Sequence, residues 1–89
     1  MDDKVLDSFK KLKLALESLN NGDWVELTYK DYAYPAYGQI EDIEVEEKED
    51  GSIWVEYRFA ASSYYEASGD GYLAPTIRKI QPPSIVYVD

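Results

Sequence analysis

The chain has 89 residues, of which 45% are hydrophobic, which is enough for one domain with a single core and too much for global disorder. It holds 18 acids against 9 bases, with no histidine and no cysteine. This composition excludes disulfides, thiolate metal sites and the Ser-His and Cys-His forms of nucleophilic catalysis, and the net charge of -9 opposes contact with nucleic-acid phosphates.

The first segment is helical by pattern. Val5, Phe9, Leu12, Leu16 and Leu19 recur at spacings of four and three, one apolar stripe on a helix of roughly 18 residues. Leu6 and Leu14 flank the stripe. Asp2 and Asp3 favour the positive end of the helix dipole, and Asn20-Asn21-Gly22 supplies a left-handed stop. Acids and lysines balance over residues 1–20, so residues 21–89 carry the whole net charge.

After Gly22 the period changes to two. Trp24–Tyr29 alternates, with Val25, Leu27 and Tyr29 on one face. Asp31–Gly38 reads as an aromatic loop containing Pro35, and Gln39–Glu46 as a second strand. Ile40 and Ile43 are three apart, which breaks strict alternation and predicts a bulge near Glu41-Asp42. Asp50-Gly51 closes a hairpin turn. Ile53, Val55, Tyr57 and Phe59 then alternate with Trp54, Glu56 and Arg58, the strongest strand pattern in the chain. A weaker strand is expected at Ser62–Ala67, a short strand or a single helical turn at Thr76–Ile80, a turn at Gly69-Asp70-Gly71, and an edge-like strand at Ile85–Val88 after Pro82-Pro83. The expected fold is α+β. A helix over residues 1–21 packs on the mainly β residues 22–89, as a strongly curved antiparallel sheet or an SH3-like or Sm-like barrel of four to five strands.

The chemistry-bearing residues are acids and tyrosines. Residues 41–50 hold seven acids (Glu41, Asp42, Glu44, Glu46, Glu47, Glu49 and Asp50) and one base, Lys48. Paired carboxylates can serve glycoside hydrolysis, but one of the pair must be buried to raise its pKa, and a run on a hairpin is a solvated surface. Glu46, Lys48, Asp50 and Gly51 approach the start of a calcium loop, yet a lysine stands at a ligand position and no glutamate closes the loop. Among the nine tyrosines, Tyr32, Tyr34 and Tyr37 fall in one loop and Tyr64, Tyr65 and Tyr72 cluster later. Tyrosine beside carboxylate suits an arginine- or lysine-rich partner through charge and cation–π contact; the plainer alternative is that about half of these rings are core.

The order helix, then Val25-Glu26-Leu27-Thr28-Tyr29, then Gly38-Gln39-Ile40, then Ile77-Arg78-Lys79-Ile80 resembles the small-barrel pattern of YolD-like proteins, and in outline the barrel core of WYL domains. The resemblance spans most of residues 10–81 and implies a bacterial or phage accessory protein. In place of the family's short glycine turn this chain has the longer Tyr32–Tyr37 loop.

These readings lead to one expectation: a non-catalytic, acidic, protein-binding module without a cofactor. Its sharpest form is a DNA-mimic inhibitor of a nucleic-acid-binding protein or nuclease, of the kind phages use against host defences. The alternative is an adaptor barrel that binds a basic or proline-rich peptide in a tyrosine-lined groove. The expected partner-binding residues are the seven acids of the hairpin with Tyr32, Tyr34 and Tyr37 as anchor. The expected partner is a basic protein surface, with no direct nucleic acid and no membrane, bound by a monomer or weak dimer. A cytoplasmic location is expected because no segment reads as a leader or membrane span.

Overall fold

The computed structural model describes residues 3–83. It has one helix, α1 (Asp3–Glu17), and five strands, β1 (Asp23–Thr28), β2 (Ala36–Glu47), β3 (Ile53–Phe59), β4 (Ser62–Ala67) and β5 (Thr76–Lys79). The strands form one antiparallel sheet in the order β4-β3-β2-β1-β5. The fold class is therefore α+β. The outer strands β4 and β5 do not pair, so of the two expected forms the described strands make an open sheet and show no barrel closure. No helix among the described residues is long and apolar enough to cross a membrane.

The helical stripe does what its spacing implies. Val5, Phe9, Leu12 and Leu16 are buried, and Leu19 is half-buried against the same core, while Leu14 points to solvent. The helix stops at Glu17, short of the expected glycine stop. The Ser18 and Leu19 amides turn back to the Ala15 and Leu16 carbonyls at 3.2 and 3.1 Å, tightening the last turn before the chain reaches Gly22. Gly22 does take a left-handed conformation, with φ 89°, but it serves the entry to β1 by donating to Ile40 O. At the other end, Ser8 Oγ donates to Val5 O and accepts from Ala74 N, tying α1 to the segment before β5.

The core is a single cluster in which the stripe meets Val25 and Leu27 of β1, Ile40 of β2, Ile53, Val55, Tyr57 and Phe59 of β3, and Ile77 of β5. Each fully buried aliphatic or aromatic side chain contributes about 1.5–3 kcal/mol, which is how a chain this short offsets its ordering entropy. Gly38 allows one close approach: a Cβ there would lie 3.2 Å from the Phe59 ring. Tyr37 and Gly38, expected in the aromatic loop, belong to β2, because the pairing with β1 extends to Leu27 and Ala36.

The expected bulge is present and matters. From Glu41 to Glu44 β2 advances three residues while its β3 partners advance two, from Arg58 to Glu56. Asp42 takes the extra position at φ 53°. The bulge inverts the parity of β2. Glu41 faces out before it, and Glu44 and Glu46 face out after it, so Ile40 and Val45 can both face in. Without it, Glu44 and Glu46 would point at the core.

The sheet also bends over its inner face. Tyr29 lies two residues beyond Leu27, which pairs with the first residue of β2, whereas Glu66 pairs with Val55, which pairs with Val45 near the far end. On a flat sheet those positions would be on the order of 30 Å apart. Instead the Tyr29 hydroxyl donates to Glu66 Oε1 at 2.8 Å and lies 3.4 Å from the Tyr57 hydroxyl.

The turns follow their chemistry. Gly51, with φ 86°, completes the β2–β3 turn, and the Lys48 amide donates to Ser52 O at 2.8 Å. Ala60 and Ala61 join β3 to β4 with φ of 50° and 68°, the strained left-handed region that Asn-Gly would occupy more easily. The Gly69–Gly71 turn is a 3-10 turn over Ser68–Asp70, anchored where buried Ser68 Oγ accepts from Ile53 N at 2.8 Å. The strand expected at Ile85–Val88 lies outside the described residues.

Candidate functional site

The outward face of the sheet is where the chain spends its charge. Alternation sends Glu26 of β1, Glu41, Glu44 and Glu46 of β2, and Trp54, Glu56 and Arg58 of β3 to this side. Arginine neutralises one half of it. Arg78 Nη2 pairs with Glu26 Oε2 at 2.9 Å across β1 and β5. Arg58 sits opposite Glu41, pairs with it, and reaches Asp42 Oδ2 at 3.5 Å. The two carboxylates hold the Arg58 guanidinium above its usual pKa, with the Glu41 hydrogen bond as the main cause.

The other half is different. Past the bulge, Glu44 faces Glu56 and Glu46 faces Trp54. None of Glu44, Glu46 and Glu56 has an ion pair among the described residues. Like charges placed opposite each other across strands cost stability. The Trp54 indole N–H donates to Glu56 Oε1 at 2.9 Å and holds that carboxylate against the ring edge. Tyr65, on β4 opposite Glu56, brings its ring within 5.9 Å of Trp54 and is 63% exposed. Lys48 Nζ stands 5.6 Å from the Trp54 ring centroid.

The hairpin tip adds to this half unevenly. Glu47 is engaged by Lys13 of α1 at 3.2 Å. Asp50 accepts from the Ser52 hydroxyl and amide at 2.6 and 2.9 Å, and those two bonds lower its pKa. Glu49 is exposed at the turn.

The expected aromatic anchor lies elsewhere. Tyr32, Tyr34 and Tyr37 are 71%, 86% and 57% exposed, but they sit at the β1–β2 end of β2, while Glu46–Asp50 sit at its other end. The structure thus brings Glu44 and Glu46 together with Glu56, and separates all three from the Tyr32–Tyr37 loop. Tyr64 and Tyr65, grouped by sequence, face opposite ways. Tyr64 stacks on buried Tyr57 at 5.5 Å, and Tyr65 joins Trp54 outside.

Trp54 and Glu56 are the site residues that sequence reasoning passed over; Tyr65 is grouped with Tyr64 and Tyr72 by sequence but not placed in the site. Their signal was in the β3 pattern, where a tryptophan falls on the polar side of a strand whose apolar side is complete. An indole facing solvent between glutamates is surface available to a partner.

Inside the sheet, Tyr29, Tyr57 and Glu66 form a half-buried polar cluster. Burial is the main reason the Tyr29 hydroxyl is pushed up to about 12, with the Glu66 carboxylate adding to it. Tyr57, more deeply placed, is raised further by burial and by its bond to Tyr29. Phenols kept neutral this way act as structural donors. Among the described residues no group of three or more acids is arranged to hold a metal ion. Comparison of the chain with known protein families, with curated proteins and with solved structures finds no match in any of the three.

Proposed function

We propose that this protein is a non-catalytic, acidic binding module that docks a basic protein surface on the outer face of β2, β3 and β4. One observation carries the reading. Among the described residues none of Glu44, Glu46 and Glu56 has an ion pair, although arginine pairs with the neighbouring acids on the same face. A fold that bears this repulsion gains it back when a partner supplies the positive charge.

The sharper form is mimicry of a nucleic-acid backbone. Alternate acids on one strand recur every ~6.6 Å, and Glu56 adds a second row beside them. The target would be a nucleic-acid-binding protein or nuclease, met in the cytoplasm. The test is capture from host lysate at low and high salt, followed by competition with duplex DNA. Partners of the mimic are displaced by DNA and lost when Glu44, Glu46 and Glu56 are changed to lysine. A partner that tolerates both treatments overturns the reading.

The adaptor alternative keeps two specific supports. Tyr32 and Tyr34 are the most exposed aromatics of their loop. The strand order, with β5 returning through a 3-10 turn to pair with β1, supports an SH3-like reading of the meander. A proline-rich ligand would then contact the tyrosine loop and ignore Glu44, Glu46 and Glu56, so the two readings separate by residue.

A further inference from the structure

We propose that the β2–β3–β4 half of the outer face holds an arginine side chain of the partner. Its guanidinium would lie against the Trp54 and Tyr65 rings, displacing Lys48 from the Trp54 ring, with Glu44 and Glu56 as carboxylate partners. This rests on the acidic-module reading above and narrows it from charge to a particular cation.

The geometry points to guanidinium in three steps. Glu44 and Glu56 are direct cross-strand neighbours on one face, which places their Cβ atoms about 4.5–5.5 Å apart. Two glutamates rooted that close can share a planar cation with several N–H donors. Next, Glu56 is fixed at the indole edge by the 2.9 Å bond from Trp54 Nε1, so a cation that meets this carboxylate also meets the aromatic surface. Finally, Lys48 Nζ already stands 5.6 Å from the Trp54 ring centroid, so a cation is accommodated at this ring. Lys48 lies on the exposed hairpin turn, on a flexible stem that can leave. Arginine replaces it well, because its weakly hydrated plane stacks on tryptophan while its edge still reaches carboxylate. Lysine gains only the point charge.

The test compares a hexa-arginine peptide with a hexa-lysine peptide at low salt on the intact chain, following the Trp54 indole N–H signal by NMR. The arginine peptide is expected to bind about tenfold tighter and to move that signal. Trp54→Leu should abolish the preference while both peptides still bind by charge, and Lys48→Ala should tighten the arginine peptide. The double variant Glu44→Gln/Glu56→Gln leaves the core untouched and should cost the arginine peptide more than the lysine peptide. Equal affinities, or a preference that survives these variants, overturn the arginine site and leave the acidic-module reading standing. Failure of both peptides to bind overturns both.

Discussion

The two halves of the outer face use the same strand and the same residue type to opposite ends. Before the bulge, Glu41 meets Arg58; after it, Glu44 meets Glu56. In the first half the acids are paired with arginine and serve the sheet. The second is charged, carries an indole and a phenol, and sets Glu44 against Glu56 with no ion pair for either among the described residues. A glutamate's role on a sheet is thus set by the residue one strand away, and β3 changes that residue within one turn of the pleat.

The largest effect comes from removing the support both halves share. Leu16 is buried in the common core, so Leu16→Ala should destabilise the protein by roughly 2–5 kcal/mol, read as the midpoint of urea unfolding. An unchanged midpoint would mean that α1 does not hold the sheet. Next comes alkaline pH. Tyr29 and Tyr57 have pKa values raised above the ordinary 10.0 of an unfolded tyrosine, Tyr29 to about 12. The folded state therefore keeps protons that the unfolded state has lost. The stability from these phenols is fully present below about pH 10 and declines as pH rises from there through about 12. Tyr57→Phe should flatten that decline; a decline of the same steepness would place its cause outside the cluster.

The third prediction bears on the contrast itself. Glu56→Gln should stabilise the fold, by roughly 0.2–1 kcal/mol, because it relieves the pair with Glu44. Arg58→Gln should destabilise it, because Glu41 and Asp42 lose their cation. Both shifts should shrink at high salt, where exposed charges are screened. Two shifts of the same sign would erase the distinction between the halves. The smallest effect is expected at Tyr34. Tyr34→Ala should move stability by less than about 0.5 kcal/mol and leave binding of a basic peptide unchanged. Loss of basic-peptide binding on that change would shift the anchor back to the tyrosine loop.

Much of the fold is legible in the residues alone. The four-three spacing of Val5, Phe9, Leu12 and Leu16 sets a buried helical face, and the alternation of Ile53–Phe59 sets a buried strand face, because both periods are local backbone geometry. The three-residue step from Ile40 to Ile43 betrays the bulge for the same reason. Local pattern also marks the acids as solvent-facing. It does not say which strand lies beside which, or in what register. Only the tertiary structure sets Glu56 opposite Glu44 and Arg58 opposite Glu41. Only the long span of β2 sends the Tyr32–Tyr37 loop and the acidic turn to opposite ends. The bend that brings Tyr29 to Glu66 likewise depends on the whole sheet. Neighbours in sequence share a period, but neighbours in space are chosen by pairing and curvature, and a surface site is made of neighbours in space.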